Sequence, residues 1–176
     1  MKPTHAAGVA AALAASIIGG AHYVASQPDR LDRVIDGDTI VINGGTHIRL
    51  WGIDAPELDQ TCKHDNKAFA GGISWNCGYA AKTYLGSMFA PKMTLKCSKK
   101  DTDSYGRTVA TCSLTSPDGK TYDIARSMVA AGFAMDWPQY SHGAYAEPQK
   151  YAAEHKLGIW AGYVQNPWDY RAQHRK

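Results

Sequence analysis

The sequence predicts an α+β domain, mainly β with helices, and three observations predict it. Residues 33 to 57 break into short β-prone runs separated by Asp36-Gly37 and Asn43-Gly44-Gly45, and such dipeptides are strong hairpin signals. A second pair of alternating runs, Met93 to Cys97 and Thr108 to Leu114, flanks the turn-rich stretch SKKDTDSYGR. Segments with apolar residues at helical spacing lie between and after these runs.

The first 26 residues stand apart. Lys2 and His5 precede a nearly unbroken small-apolar run from Ala6 to Ala21, with no acid, which is the layout of a secretory signal peptide. Val24-Ala25-Ser26 puts small or modest side chains where a signal peptidase reads, so cleavage is expected before Gln27. An uncleaved N-terminal anchor is the second reading, although the run falls short of the roughly 20 apolar residues a spanning helix needs. A buried amphipathic helix is the third. The remainder has the length of one domain with a proper core, expected over residues 27 to 160, followed by a basic tail over 161 to 176.

The first β region reads as a three-stranded meander of Val34-Ile35, Thr39 to Ile42 and His47 to Ile53. Asp38 sits at its first turn and Asp54 at the far end of its third strand. Two turns bring those points to the same end of the sheet, where their carboxylates can converge. Pro56 biases Ala55 towards an extended backbone, presenting the Ala55 carbonyl and Glu57 just past the strand end. Two aspartates, a carbonyl and a glutamate are hard oxygen ligands that suit Ca²⁺ or Mg²⁺ and not Zn²⁺. Arg49 lies five residues before Asp54, and a guanidinium beside a cation makes sense when the ligand is a phosphate. Taken singly, each of these short motifs is better explained by a turn or a strand exit.

From Gly78 to Phe89, Ala81, Tyr84, Leu85 and Met88 fall on one helical face, with Pro91 past the end. In the following hairpin Gly106 lets the backbone turn and Arg107 opens the returning strand. Ser116 to Lys120 is a turn, and Asp123 caps a helix over Ile124 to Ala131, stopped by Gly132. Trp137 to Tyr140 is an aromatic loop, for which base stacking and lidding of the core are equally good readings. Pro148 suits the first turn of a last helix, Gln149 to Leu157, ended by Gly158; His155 on it reads as structural or exposed. Ile159-Trp160 is expected to pack on the barrel. The tail NPWDYRAQHRK reads as loosely ordered, with Arg171, Arg175 and Lys176 adding phosphate contacts or solubility.

Four cysteines, Cys62, Cys77, Cys97 and Cys112, in an apparently exported chain read as disulfides, and no C-x-x-C pair points to zinc. Of the three pairings, Cys62 with Cys77 and Cys97 with Cys112 is favoured. The second pair sits on two hairpin strands either side of a loop, and the first closes the polar, glycine-bearing insertion Lys63 to Asn76. The chain has 19 Lys+Arg against 16 Asp+Glu, too weak an excess to argue by itself for nucleic acid, so local placement decides.

DGDT at 36 to 39, IRLWGIDAPE at 48 to 57 and DSYGR at 103 to 107, in that order, resemble the staphylococcal nuclease (thermonuclease) family, and the similarity runs from about Arg33 to Trp160. The resemblance implies a five-stranded OB-fold barrel with about three α-helices and a Ca²⁺-dependent phosphodiesterase acting on DNA and RNA. It implies that Asp38 and Asp54 bind the metal through carboxylates and Ala55 through its backbone oxygen. Ala55 stands where the founding member has threonine, a change that a backbone ligand survives. Arg49 and Arg107 would hold the phosphate, Glu57 would act on the attacking water, Tyr105 would line the nucleotide pocket, and products would carry 3′-phosphates. Closing the barrel would bring Arg107 towards Arg49. No groove-reading helix or repeat code is present, so little sequence specificity is expected, and Trp137 and Tyr140 beside an OB cleft favour single strands. A monomer without an obligate protein partner is the default. The rivals are a catalytically inactive OB-fold nucleic-acid-binding module, which should lack one or more of the five charged residues, and an envelope protein-binding module, which should show a large apolar patch.

Overall fold

The structure, a computed structural model, describes residues 27–65 and 72–174; the expected signal peptide, residues 66–71 and the last two residues lie outside the described residues. Strands β1 (Leu31–Val34), β2 (Thr39–Ile42) and β3 (Thr46–Leu50) form an up-down-up meander, with Arg33 facing Val41 and Thr39 facing Arg49. The β2–β3 loop has three residues between the paired Ile42 and Thr46, Asn43, Gly44 and Gly45, all at positive φ, 52°, 80° and 134°, which is why two of the three are glycine. Along β3, Ile48 and Leu50 are buried while His47 and Arg49 take the other face. The predicted third strand, His47 to Ile53, is interrupted at Trp51-Gly52, where Gly52 adopts φ +75°. The chain then leaves the sheet as β4 (Ile53–Asp54), which pairs with a short strand eighty residues on, Met135 facing Asp54.

The segment after Glu57 has more structure than its composition predicts. It is a hairpin of β5 (Thr61–His64) and β6 (Ile73–Asn76), joined by the Cys62–Cys77 disulfide to α1 (Cys77–Ser87). Asn76 caps α1 by accepting from the Tyr79 N–H at 2.7 Å; Ala81 and Leu85 are buried, with Tyr84 and Met88 packed partly against the core. Strands β7 (Thr94–Thr102) and β8 (Thr108–Thr115) form the predicted hairpin, with β7 starting one residue later than expected and running five residues further, and the disulfide partners Cys97 and Cys112 face each other across it. On its other side β8 runs parallel to β3, Val109 facing Arg49, and β9 (Thr121–Asp123) pairs with β8 as well.

The resulting order is β1-β2-β3-β8-β7. Its two outer ends meet at one bridge, where the Asp29 N–H donates to the Leu95 carbonyl at 2.9 Å and the Asp29 carboxylate accepts from the Cys97 N–H at 2.7 Å. Five strands curled in this way make an OB-fold-like α+β domain. Helix α2 (Ile124–Ala130), capped by Asp123, plugs the sheet with Ile124, Met128 and Val129, which join Ile40, Leu50 and Leu85 in the main core.

After α2 come β10 (Met135–Asp136), the one-turn α3 (Pro138–Ser141), α4 (Ala146–Glu154), a 3-10 turn at Gly158–Ala161 and α5 (Pro167–His174). Five α-helices among the described residues exceed the expected three, because the aromatic loop winds into α3 and the tail into α5. The tail is therefore ordered through His174. Helix α4 starts at Ala146, two residues before Pro148 and three before the expected start. His155 is exposed, stacked on Tyr151 at 4.1 Å. Ile159 and Trp160 pack on the Cys62–Cys77 disulfide and Met135 in a second, smaller core, not on the barrel. No helix among the described residues is long and apolar enough to cross a membrane.

Candidate active site

The turn Asp36-Gly37-Asp38 is pressed against the chain that leaves β4. A Cβ on Gly37 would stand 2.6 Å from the Ala55 Cβ and 2.8 Å from that of Ala81, so a glycine is what lets the turn approach so closely. The Asp36 carboxylate accepts from the Asp38 N–H at 3.0 Å and shapes the turn. Asp38, 2 % exposed, is consequently held on three sides: Oδ2 accepts from the Ala55 N–H at 2.8 Å, Oδ1 accepts from the Thr39 hydroxyl at 3.2 Å, and Oδ1 pairs with the Arg49 guanidinium.

Arg49 reaches across to the second aspartate. Its other terminal nitrogen donates to Asp54 Oδ1 at 2.6 Å and, at 3.4 Å, to the Ile53 carbonyl. Asp54 is fully buried, and one guanidinium thus gathers Asp38 and Asp54, the two carboxylates that the meander was expected to bring together. Burial pulls the Arg49 pKa down from its ordinary value, against Asp54, which holds it up. Burial likewise pushes the Asp36 carboxyl up, against Arg49 and the hydrogen bond with Thr39.

Glu57 is positioned by its backbone. Its N–H donates to Gln60 Oε1 at 3.2 Å, its carbonyl accepts from the Gln60 N–H at 2.8 Å, and the first turn of α1 lies directly beneath, since a Cβ on Gly78 would be 1.7 Å from the Glu57 oxygen. Gln60 is itself fully buried and donates through Nε2 to the Gln165 carbonyl at 2.7 Å, two residues before α5. Helix α5 then delivers Arg171 into the acidic centre. One Arg171 terminal nitrogen donates to Asp54 Oδ1 at 2.8 Å and to Glu57 Oε1 at 2.9 Å, and the other to Asp54 Oδ2 at 2.7 Å. Burial lowers the Arg171 pKa, but hydrogen bonds and charge from Asp54 and Glu57 outweigh it, and the net shift is upward.

Asp38, Arg49, Asp54, Ala55 and Glu57 are therefore contiguous. Arg107 and Tyr105 stand to one side, on the β7–β8 turn, with Arg107 two residues before the β8 residue that faces Arg49. The parallel β3–β8 pairing brings Arg107 near enough for its charge to bear on Arg49. Its Nε donates to Asp103 at 2.7 Å, and its guanidinium lies over the Tyr105 ring at 5.6 Å. Tyr105, 73 % exposed, lines an open cleft of about 470 Å³ with Arg107, His47 and the tip of the β2–β3 hairpin. On the other side, Trp137 packs edge-on to Tyr140 at 4.5 Å, parallel to Trp168 at 6.0 Å and under Arg171 at 5.5 Å. Trp137 is half-buried in that stack, whereas Tyr140 is 50 % exposed.

Two residues of the centre, Gln60 and Arg171, and Asp103 beside it escape sequence reasoning in the roles they take here. Gln60 carries no pattern at all. Asn166-Pro167, a capping residue followed by proline, is a helix-start signal for α5, but nothing in it says where the helix docks. Among the described residues no three His, Cys, Asp or Glu side chains are gathered into a metal-holding group; the carboxylates are bridged by the guanidinium groups of Arg49 and Arg171.

The chain resembles several known proteins. It is 35% identical over 127 residues to the succinoglycan biosynthesis protein ExoI of Rhizobium meliloti, covering 72% of this chain and 61% of that one. It is 30% identical over 155 residues to endonuclease YhcR of Bacillus subtilis, covering 81% of this chain but only 12% of that much longer one. With protein ParB of Escherichia coli it shares 31% over 177 residues, 93% of this chain and 89% of that one. Residues 47–162 match the family described as staphylococcal nuclease homologue, a span that begins after Asp38, takes in Arg49, Asp54, Glu57 and Arg107, and runs from β3 through the 3-10 turn at Gly158–Ala161. On that match the chain belongs to the staphylococcal nuclease family.

Proposed function

We propose that this chain is a Ca²⁺-dependent phosphodiesterase that cleaves DNA and RNA with little sequence specificity, prefers single strands and leaves 3′-phosphates. The observation that carries the reading is the junction of two buried aspartates on one guanidinium, with Glu57 reached through a second. Asp38, Asp54 and the Ala55 carbonyl offer an all-oxygen donor set, the chemistry of a hard cation. Bound there, such a cation supplies Lewis-acid polarisation of a phosphate. An endonuclease among the relatives points the same way, and two disulfides fit export to an oxidising compartment, with residues 1 to 26 as signal peptide or anchor.

In this reading Arg49 and Arg107 bind the non-bridging oxygens of one phosphate. Tyr105 lines the nucleotide pocket, and Trp137 and Tyr140 offer faces for bases. Glu57 takes a proton from the attacking water as the water oxygen bonds to phosphorus. The bond from phosphorus to the 5′ oxygen breaks, and that oxygen takes up a proton as it leaves. General-base help of this kind is worth roughly 10²- to 10⁴-fold, so Glu57→Ala should lose about that much turnover and still bind nucleotide.

The test is digestion of single-stranded DNA by the oxidised protein with Ca²⁺, with Mg²⁺ and with chelator, alongside Glu57→Ala and Arg107→Ala. Calcium-dependent cleavage that both variants lose supports the assignment. Binding without cleavage under every metal would make the chain a silent OB module, and neither binding nor cleavage would point to a protein partner.

A further inference from the structure

We propose that Arg171 is a resident counter-cation of the acidic centre, holding Asp54 and Glu57 when no divalent cation is bound and giving way when one binds, so that α5 governs how readily the site takes its metal. This rests on the metal-dependent reading above. Both Asp54 oxygens accept from Arg171, at 2.8 and 2.7 Å, and Oδ1 is already shared with Arg49 at 2.6 Å. The same Arg171 nitrogen that holds Oδ1 holds Glu57 at 2.9 Å, so one side chain occupies the space between the proposed metal ligand and the proposed base. An incoming cation must approach the same oxygens, and two positive groups a few ångströms apart in a buried site repel strongly.

The charge balance agrees. Asp38, Asp54 and Glu57 face Arg49 and Arg171, leaving one uncompensated negative charge; without Arg171 there are two, the complement of a divalent ion. The arrangement is also built to let the side chain leave while its helix stays. Helix α5 is anchored by buried Pro167, by Trp168 stacked on Trp137 and by the Gln60 hydrogen bond to Gln165 just before it. Arg171 itself is a quarter exposed and its guanidinium lies over the face of Trp137 at 5.5 Å while it holds the acids, so its displacement changes the surroundings of that ring.

Calorimetric titration of the full oxidised chain with Ca²⁺, in the absence of substrate, tests this without any activity measurement. Arg171→Gln should bind Ca²⁺ at least tenfold more tightly than the wild type, and Arg171→Lys, which keeps the charge but loses the fork, should fall between. The near-ultraviolet dichroism of the tryptophans should change on Ca²⁺ addition to the wild type, and that change should shrink in Trp137→Phe. If Arg171→Gln does not fold, Arg171→Lys decides: tighter binding than wild type supports the inference, and equal or weaker binding overturns it. Equal or weaker affinity in a folded Arg171→Gln overturns it too, while measurable Ca²⁺ binding leaves the nuclease reading standing. No Ca²⁺ binding by any of the proteins overturns both.

Discussion

Replacing Gln60 with leucine isolates the part of the scaffold that holds Glu57. The two side chains are close in volume, so the change removes hydrogen bonds without opening a large cavity. Two groups lose their partner, the Glu57 N–H now 3.2 Å from Oε1 and the Gln165 carbonyl now 2.7 Å from Nε2. A buried polar group left unpaired costs about 1–3 kcal/mol. Both groups here are only part-buried, so the lower half of that range applies to each, and the pair is worth about 3 kcal/mol. For a domain of this size each kcal/mol moves the midpoint by about 2–4 °C, so Gln60→Leu should melt about 6–12 °C below the wild type. Calorimetry on the oxidised proteins measures the shift, and cleavage of single-stranded DNA measures whether Glu57 has lost its place. On the proposed role of Glu57 as base, the expected result is a lower kcat with little change in KM, because Gln60 bonds to Glu57 and to none of the proposed substrate-binding residues. A melting point within about 2 °C of wild type, or a loss confined to KM, would refute the view that Gln60 ties the base to the start of α5.

Gly78→Ala would put a methyl group 1.7 Å from the Glu57 carbonyl oxygen; the forced shift of α1 should cost about 1–3 kcal/mol and most of the cleavage activity, and an unchanged urea midpoint would count against this packing. Each disulfide joins cysteines 15 residues apart, worth about 3 kcal/mol in the chain-entropy account. Paired serine variants should show similar losses in urea, but Cys62→Ser with Cys77→Ser should also impair cleavage, since Cys77 opens the helix beneath Glu57, whereas Cys97→Ser with Cys112→Ser should not. Burial pushes the Asp103 carboxyl up, but hydrogen bonds from Arg107 and the Tyr105 N–H outweigh it and hold the pKa below 3.8. Its stabilisation is therefore present above the ordinary carboxylate range and lost as pH falls through the lower folded value; the stability gap to Asp103→Asn should be full at neutral pH and shrink below about pH 4, and a gap constant from neutral pH to strong acid would show that the pair does not matter.

What could be read in the sequence is what local chemistry decides. Asp36-Gly37 and Asn43-Gly44 set the turns of the meander, alternation sets which face Ile48 and Arg49 take, and the convergence of Asp38 with Asp54 follows from those two facts. Cys97 opposite Cys112 follows in the same way from hairpin register. The break at Gly52 was not legible, because Trp51-Gly52 continues the strand pattern; it is imposed by β10, which draws Ile53 and Asp54 away to a partner eighty residues later. Gln60 binds across 105 positions and Arg171 across 117 and 114, and no pattern in a short window encodes such a pairing. The division has a chemical sense. Carboxylates that must converge to within a few ångströms are placed by short-range turns, which leave little slack. One of the cations that neutralise them, Arg49, comes from β3 itself; the other, Arg171, arrives on a separate helix 117 positions after Asp54. The acidic centre is therefore assembled by the short-range turns of the barrel, and its charge balance is completed from α5.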